Sequence, residues 1–109
     1  MSLDRFYTRR RTRDYKCFDL ACEVWNYLTG ENLRDRFMSN GSLKASITRA
    51  VSPLAAPVSP CLVVMQRKGY SPHIGVYYDG RVFHLSTTGP RFDTFPVATR
   101  FFTKVRCYQ

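Results

Sequence analysis

Phe18, Ala21, Cys22, Trp25 and Leu28 recur at spacings of three and four, which marks one face of an amphipathic helix from about Cys17 to Thr29. Gly30 follows as a stop. A second, weaker pattern after Asn40-Gly41 predicts a helix with Ser42 as N-cap and Leu43, Ile47, Ala50 and Val51 on one side. Leu33 to Ser39 is assigned to no element. Val51 to Pro60 holds three prolines and no charge, which suits an ordered, irregular connection and makes it the main hinge of the chain.

From Cys61 the period changes from helical to alternating. Cys61 to Gln66, His73 to Tyr78, Arg81 to Ser86 and Phe101 to Cys107 are rich in β-branched and aromatic residues and predict strands. Helices first and strands second imply an α+β domain, with N-terminal helices packed on a small antiparallel β-sheet. Asp79-Gly80 between two β runs predicts a two-residue turn. That turn sets Tyr78 opposite Arg81, Val76 opposite Phe83 and Gly75 opposite His84. By alternation, His73, Gly75, Tyr77, Val82 and His84 then share one face. His73 is the diagonal neighbour of His84, about 7 Å away between backbones and within reach of an imidazole.

Length and composition fit one domain with a real core, since 109 residues include 44% hydrophobic and 15% aromatic side chains. Seventeen Lys and Arg against eight Asp and Glu give a net charge of +9. The excess gathers at the start, where Arg5, Arg9, Arg10, Arg11, Arg13 and Lys16 face only Asp4 and Asp14. Residues 1–13 are therefore expected to be a basic arm dispensable for folding, and residues 14–109 the folded domain. Such an arm attracts anionic partners without choosing among them. It is the sole support for nucleic-acid binding, since the aromatics follow no RNA-binding pattern.

The longest uninterrupted apolar run, Cys61 to Met65, is too short to span a bilayer, so no membrane insertion is expected. The first sixteen residues lack the apolar core of a signal peptide, which implies synthesis in the cytoplasm and reduced thiols. No Cys-x-x-Cys or His-x-x-x-His pair is present, and no phosphate-binding glycine loop, so neither a metal nor another cofactor is expected.

Cys17 stands at the first turn of the predicted helix, where unpaired N–H groups and the dipole favour a thiolate. With His73 as an imidazole on a facing strand and His84 behind it, the chain holds the parts of a Cys-His-X hydrolase. Cys22, Cys61 and Cys107 read as small buried hydrophobes.

The order of these residues resembles the NlpC-type cell-wall peptidases of the papain-like superfamily. Tyr15-Lys16-Cys17-Phe18-Asp19-Leu20 looks like the nucleophile segment of their small phage-encoded branch, with Glu23-Val24-Trp25 continuing the helix. Pro60 to Met65 resembles the strand before the histidine. Ser71 to Tyr77 with Gly80 to His84 resembles the histidine hairpin, and Val105 to Tyr108 the closing strand.

The resemblance implies a papain-like (NlpC-type) domain that cleaves amide bonds in peptidoglycan stem peptides, with Cys17 as nucleophile, His73 as base and His84 as orienting residue. It also implies a virion location, with other phage tail proteins as partners. Lys16, Phe18 and Asp19 depart from the pattern, which has Asp or Asn before the nucleophile and small residues after it. The alternative reading is a structural tail or assembly component of the same fold with weak or lost catalysis.

Overall fold

The computed structural model describes residues 3–38 and 52–109. The helix expected after Asn40-Gly41 lies outside the described residues. The elements run as a 3-10 turn (Asp4–Thr8), α1 (Cys17–Thr29), α2 (Leu33–Met38), β1 (Pro53–Leu54), β2 (Cys61–Gln66), β3 (His73–Tyr78), β4 (Arg81–Ser86), β5 (Gly89–Thr94), α3 (Phe95–Thr99) and β6 (Lys104–Tyr108). The fold is α+β. Its six strands form one antiparallel sheet in the order β1-β6-β2-β3-β4-β5, with β1 and β5 at the edges.

α1 begins and ends where the sequence predicts. The Asp19 carboxylate accepts the Lys16 backbone N–H (2.7 Å), and Arg34 holds the same carboxylate from α2 (2.6 Å). At the other end Gly30 adopts φ 77° and its N–H donates to the Asn26 carbonyl (2.7 Å). The buried stripe is Leu20, Ala21, Val24 and Trp25, rotated from the expected face. Phe18, Cys22 and Leu28 flank it, because Phe18 leans onto Phe37 of α2 (ring centroids 5.2 Å).

The sheet separates two apolar layers. α1 covers one face, with Leu62, Val64, Ile74, Val76, Phe83 and Leu85 beneath it. The other face carries Cys61, Val63, Met65, Val82 and Cys107, closed by Ala98 of α3 with Phe95 and Phe102. Strand alternation alone produces this division.

Three expectations need correction. Residues 3–9 are not a free arm: Leu3 and Phe6 are buried in the α1 layer, and the Phe6 ring meets Tyr27 and Phe83 edge-on at 5.7 and 6.1 Å. A single 3-10 turn suffices to point these few apolar side chains inward, so no long amphipathic period is needed. Pro53-Leu54 makes a short edge strand on β6 rather than a wholly irregular connection. The last strand starts at Lys104, since Arg100 to Thr103 form the turn that leads into it.

Candidate functional site

The β3–β4 hairpin carries the candidate base. Asp79 and Gly80 take φ 52° and 82°, the paired positive values of a two-residue hairpin turn. The ladder pairs Tyr78 with Arg81, Tyr77 with Val82 and Val76 with Phe83. His84 comes next on β4, beside Gly75. A Cβ on Gly75 would meet Val82 Cγ1 at 2.7 Å, the Phe83 carbonyl at 3.0 Å and His84 Cβ at 3.1 Å. Glycine thus permits the close approach that brings the two imidazoles together, with His73 Nε2 3.0 Å from His84 Nδ1.

A third residue, not found in the sequence reading, extends the chain of contacts. His84 Nε2 lies 3.1 Å from Asp93 Oδ2 on β5. Arg91 grips the same carboxylate with two bonds, Nε to Oδ2 at 2.8 Å and a terminal nitrogen to Oδ1 at 3.0 Å. The Arg91 hydrogen bonds are the main reason the Asp93 carboxyl stays below its usual range; His84 adds to this, and desolvation opposes it. Asp93 is therefore an ionised acceptor at neutral pH.

This acceptor fixes the protons of both rings. Burial lowers the pKa of His84 despite Asp93, so the ring is neutral at pH 7. Its one proton must sit on Nε2, facing the carboxylate, which leaves Nδ1 as an acceptor. His73 is also neutral, its pKa lowered to about 4 by burial, then by His84 and by Arg11. Its proton must sit on Nε2 to meet His84 Nδ1. The His73 Nδ1 lone pair is then free of the chain.

Cys17 occupies the first residue of α1, half-buried and packed against the α1 layer. Among the described residues no hydrogen bond joins it to His73. His73 and His84 come together as expected. The two histidines belong to the opposite face of the sheet from α1, so only around the sheet's end could the thiol approach them.

Contacts of the N-terminal segment indicate which end. Phe6 meets Tyr27 and mid-strand Phe83, then Arg9 binds Glu23 (2.8 Å), and the Arg10 guanidinium lies 3.4 Å from where a Gly89 Cβ would stand. Climbing α1 from Tyr27 through Glu23 to Cys17 therefore leads toward the end where β3 begins. Tyr15 braces this turn by donating its hydroxyl to Glu23 (2.7 Å).

The other cysteines are set apart from this arrangement. All four are free thiols; burial is the first cause that pushes Cys22 and Cys61 up to about 11, and it raises Cys107 as well. Two surface depressions, of about 540 and 350 Å³, are lined by neither Cys17 nor His73. No group of His, Cys, Asp and Glu among the described residues is arranged to hold a metal ion. No helix among them is long and apolar enough to cross a membrane.

The lowered His73 pKa makes acid stability a test of the ring's burial. An unfolded His73 takes up its proton near 6.5 and the folded one only near 4, so between those values the unfolded chain binds more protons. Stability should be complete above about pH 6.5 and fall on the order of 2 kcal/mol as pH drops toward 4. Urea midpoints measured across that window should decline for the wild type and change less for His73→Gln. An equal decline in both would show that His73 is not the group responsible.

Comparison of the chain with protein-family models, with curated proteins and with solved structures found no match.

Proposed function

We propose that this protein is a papain-like cysteine hydrolase that cleaves amide bonds in peptidoglycan stem peptides, in association with a phage tail. The observation that carries the reading is the chain from Arg91 and Asp93 through His84 to His73, which leaves His73 Nδ1 unprotonated. Such a chain sets the tautomer of a base and aims one lone pair away from the network. The choice of peptidoglycan and of a phage tail rests on the resemblance of the Cys17 and His73 segments to NlpC-type peptidases.

In this scheme Cys17 Sγ bonds to the carbonyl carbon as its proton passes to His73 Nδ1, and backbone N–H groups at the start of α1 receive the oxyanion. The imidazolium then protonates the amine nitrogen, and the C–N bond breaks. A water attacks the thioester, giving its proton to His73. The C–S bond cleaves to release the acid, and the thiol is restored. Positive charge on His73 exists only during this passage, and Asp93 offsets it through His84. No metal takes part.

The alternative, a structural tail component without chemistry, is favoured by the absence of a Cys17–His73 hydrogen bond among the described residues and by the burial that lowers the His73 pKa to about 4, which weakens the ring as a base. Mass-spectrometric mapping of iodoacetamide adducts at near-neutral pH, run beside a peptidoglycan digest, separates the two. A hydrolase labels at Cys17 before the other three cysteines and releases peptide fragments. Uniform labelling with no fragments leaves the tail component.

A further inference from the structure

Two loops at the His73 end of the sheet carry a surface that the reaction scheme does not use. One joins β2 to β3 through residues 67–72, and the other joins α3 to β6 through residues 100–103. They stem from one point, because Gln66 pairs with Lys104 and its carbonyl accepts the Thr103 N–H at 3.0 Å. Phe102 turns inward and lies parallel to the His73 ring, with centroids 5.8 Å apart. Phe101 beside it is 64% exposed, and Tyr70 on the other loop 68% exposed. These exceed the other large apolar side chains left in water, so the exposure concentrates beside the base.

Each exposed ring supports a guanidinium. Arg67 sits over Tyr70 at 5.1 Å and Arg100 over Phe101 at 4.7 Å. A guanidinium propped on a ring keeps its plane fixed and its N–H edges free, which lowers the ordering cost of binding a planar anion. Lys68 and Lys104 stand in the same segments, and residues 67–72 and 100–104 include no Asp or Glu. Among the described residues no salt bridge engages Arg67 or Arg100.

From this arrangement we infer that Arg67, Tyr70, Arg100 and Phe101 form the substrate rim of the His73 site and select peptides that bear free carboxylates. The inference rests on the hydrolase reading and adds what that site recognises. A carboxylate presents two acceptors to the guanidinium fork; an amidated side chain presents one acceptor and no charge. Nucleic acid fits less well, since base stacking uses ring faces that the guanidinium groups here cover.

Calorimetry on the full chain carrying Cys17→Ala tests the rim without turnover, using a soluble stem tetrapeptide with free carboxylates and its fully amidated counterpart. The amidated peptide should bind about tenfold more weakly, the loss expected for a charge-assisted pair. Arg67→Ala with Arg100→Ala should weaken the carboxylate peptide about tenfold and erase the distinction. Arg5→Ala removes the same charge beside Tyr27 and should change affinity by less than about twofold.

Equal affinity for the two peptides, or undiminished binding by the double variant, overturns the rim. Tighter binding of a single-stranded oligonucleotide to the same surface also overturns it. If the wild type digests peptidoglycan yet the peptides are not distinguished, the rim falls and the hydrolase reading stands. If carboxylate-selective binding is present but Cys17 is unreactive and no wall is digested, the hydrolase reading falls and the rim stands as a peptide-binding surface.

Discussion

Asp93→Asn is expected, on the hydrolase reading proposed above, to cut turnover on peptidoglycan by about a hundredfold or more, the scale of loss when a catalytic imidazole is held in the wrong tautomer. The substitution keeps the volume of the side chain and removes its charge. An amide can offer His84 Nε2 either an oxygen or an N–H, so the proton on Nε2 is no longer required. If His84 shifts its proton to Nδ1, His73 must present a lone pair at Nε2, and its remaining proton moves to Nδ1, where the base is needed. The effect should fall on kcat, with KM little changed, since Asp93 contacts no substrate in the scheme. Circular dichroism should show an intact fold, and the nitrogen shifts of both rings should reveal exchanged tautomers. Unchanged kcat would remove the Asp93–His84–His73 chain from the mechanism.

Phe6→Ala should destabilise the protein by about 3–5 kcal/mol, the usual cost of truncating a buried aromatic ring. Phe6 is 4% exposed, lies between Tyr27 and Phe83, and has the Arg5 and Arg9 guanidinium groups each at 5.8 Å from its ring. Little can collapse into the space, because the surrounding rings are pinned by α1 and the sheet. For a domain of this size the midpoint of thermal unfolding should fall by more than about 10 °C. Such a loss is a large part of a typical stability of about 5–15 kcal/mol. A shift of only a degree or two would return residues 1–13 to the status of a loose arm. Arg13→Ala, which removes charge from an exposed position, should change little and serves as the comparison.

How far the sequence could be read differs element by element. Asp79-Gly80 permits essentially one tight turn, and from that turn the facing of His73 and His84 follows by counting. α1 was legible for a similar reason, with a helical period closed by Gly30. β5 was not, because Gly89-Pro90 reads as a break and Arg91, Asp93 and Thr94 read as solvent. Only the pairing of Val82 with Asp93 and of His84 with Arg91 makes it a strand, and that pairing is a tertiary fact.

Asp93 was therefore missed together with its strand. The one available signal was Arg91-x-Asp93, a spacing that puts opposite charges on one face of an extended segment. Phe6 was missed because a five-residue 3-10 turn is too short for a period to register.

Beyond chemistry, β5 is an edge strand of the sheet, paired with β4 alone among the described strands. Edges of this kind recruit strands from other copies unless something discourages them, and proline and charge are the common deterrents. Pro90, Arg91 and Asp93 supply both within four consecutive positions. The pair that sets the proton on His84 is thus also of the kind that discourages such additions. Drift toward neutral residues on β5 should cost solubility and, on the hydrolase reading, turnover as well, which ties the two to the same short stretch of chain.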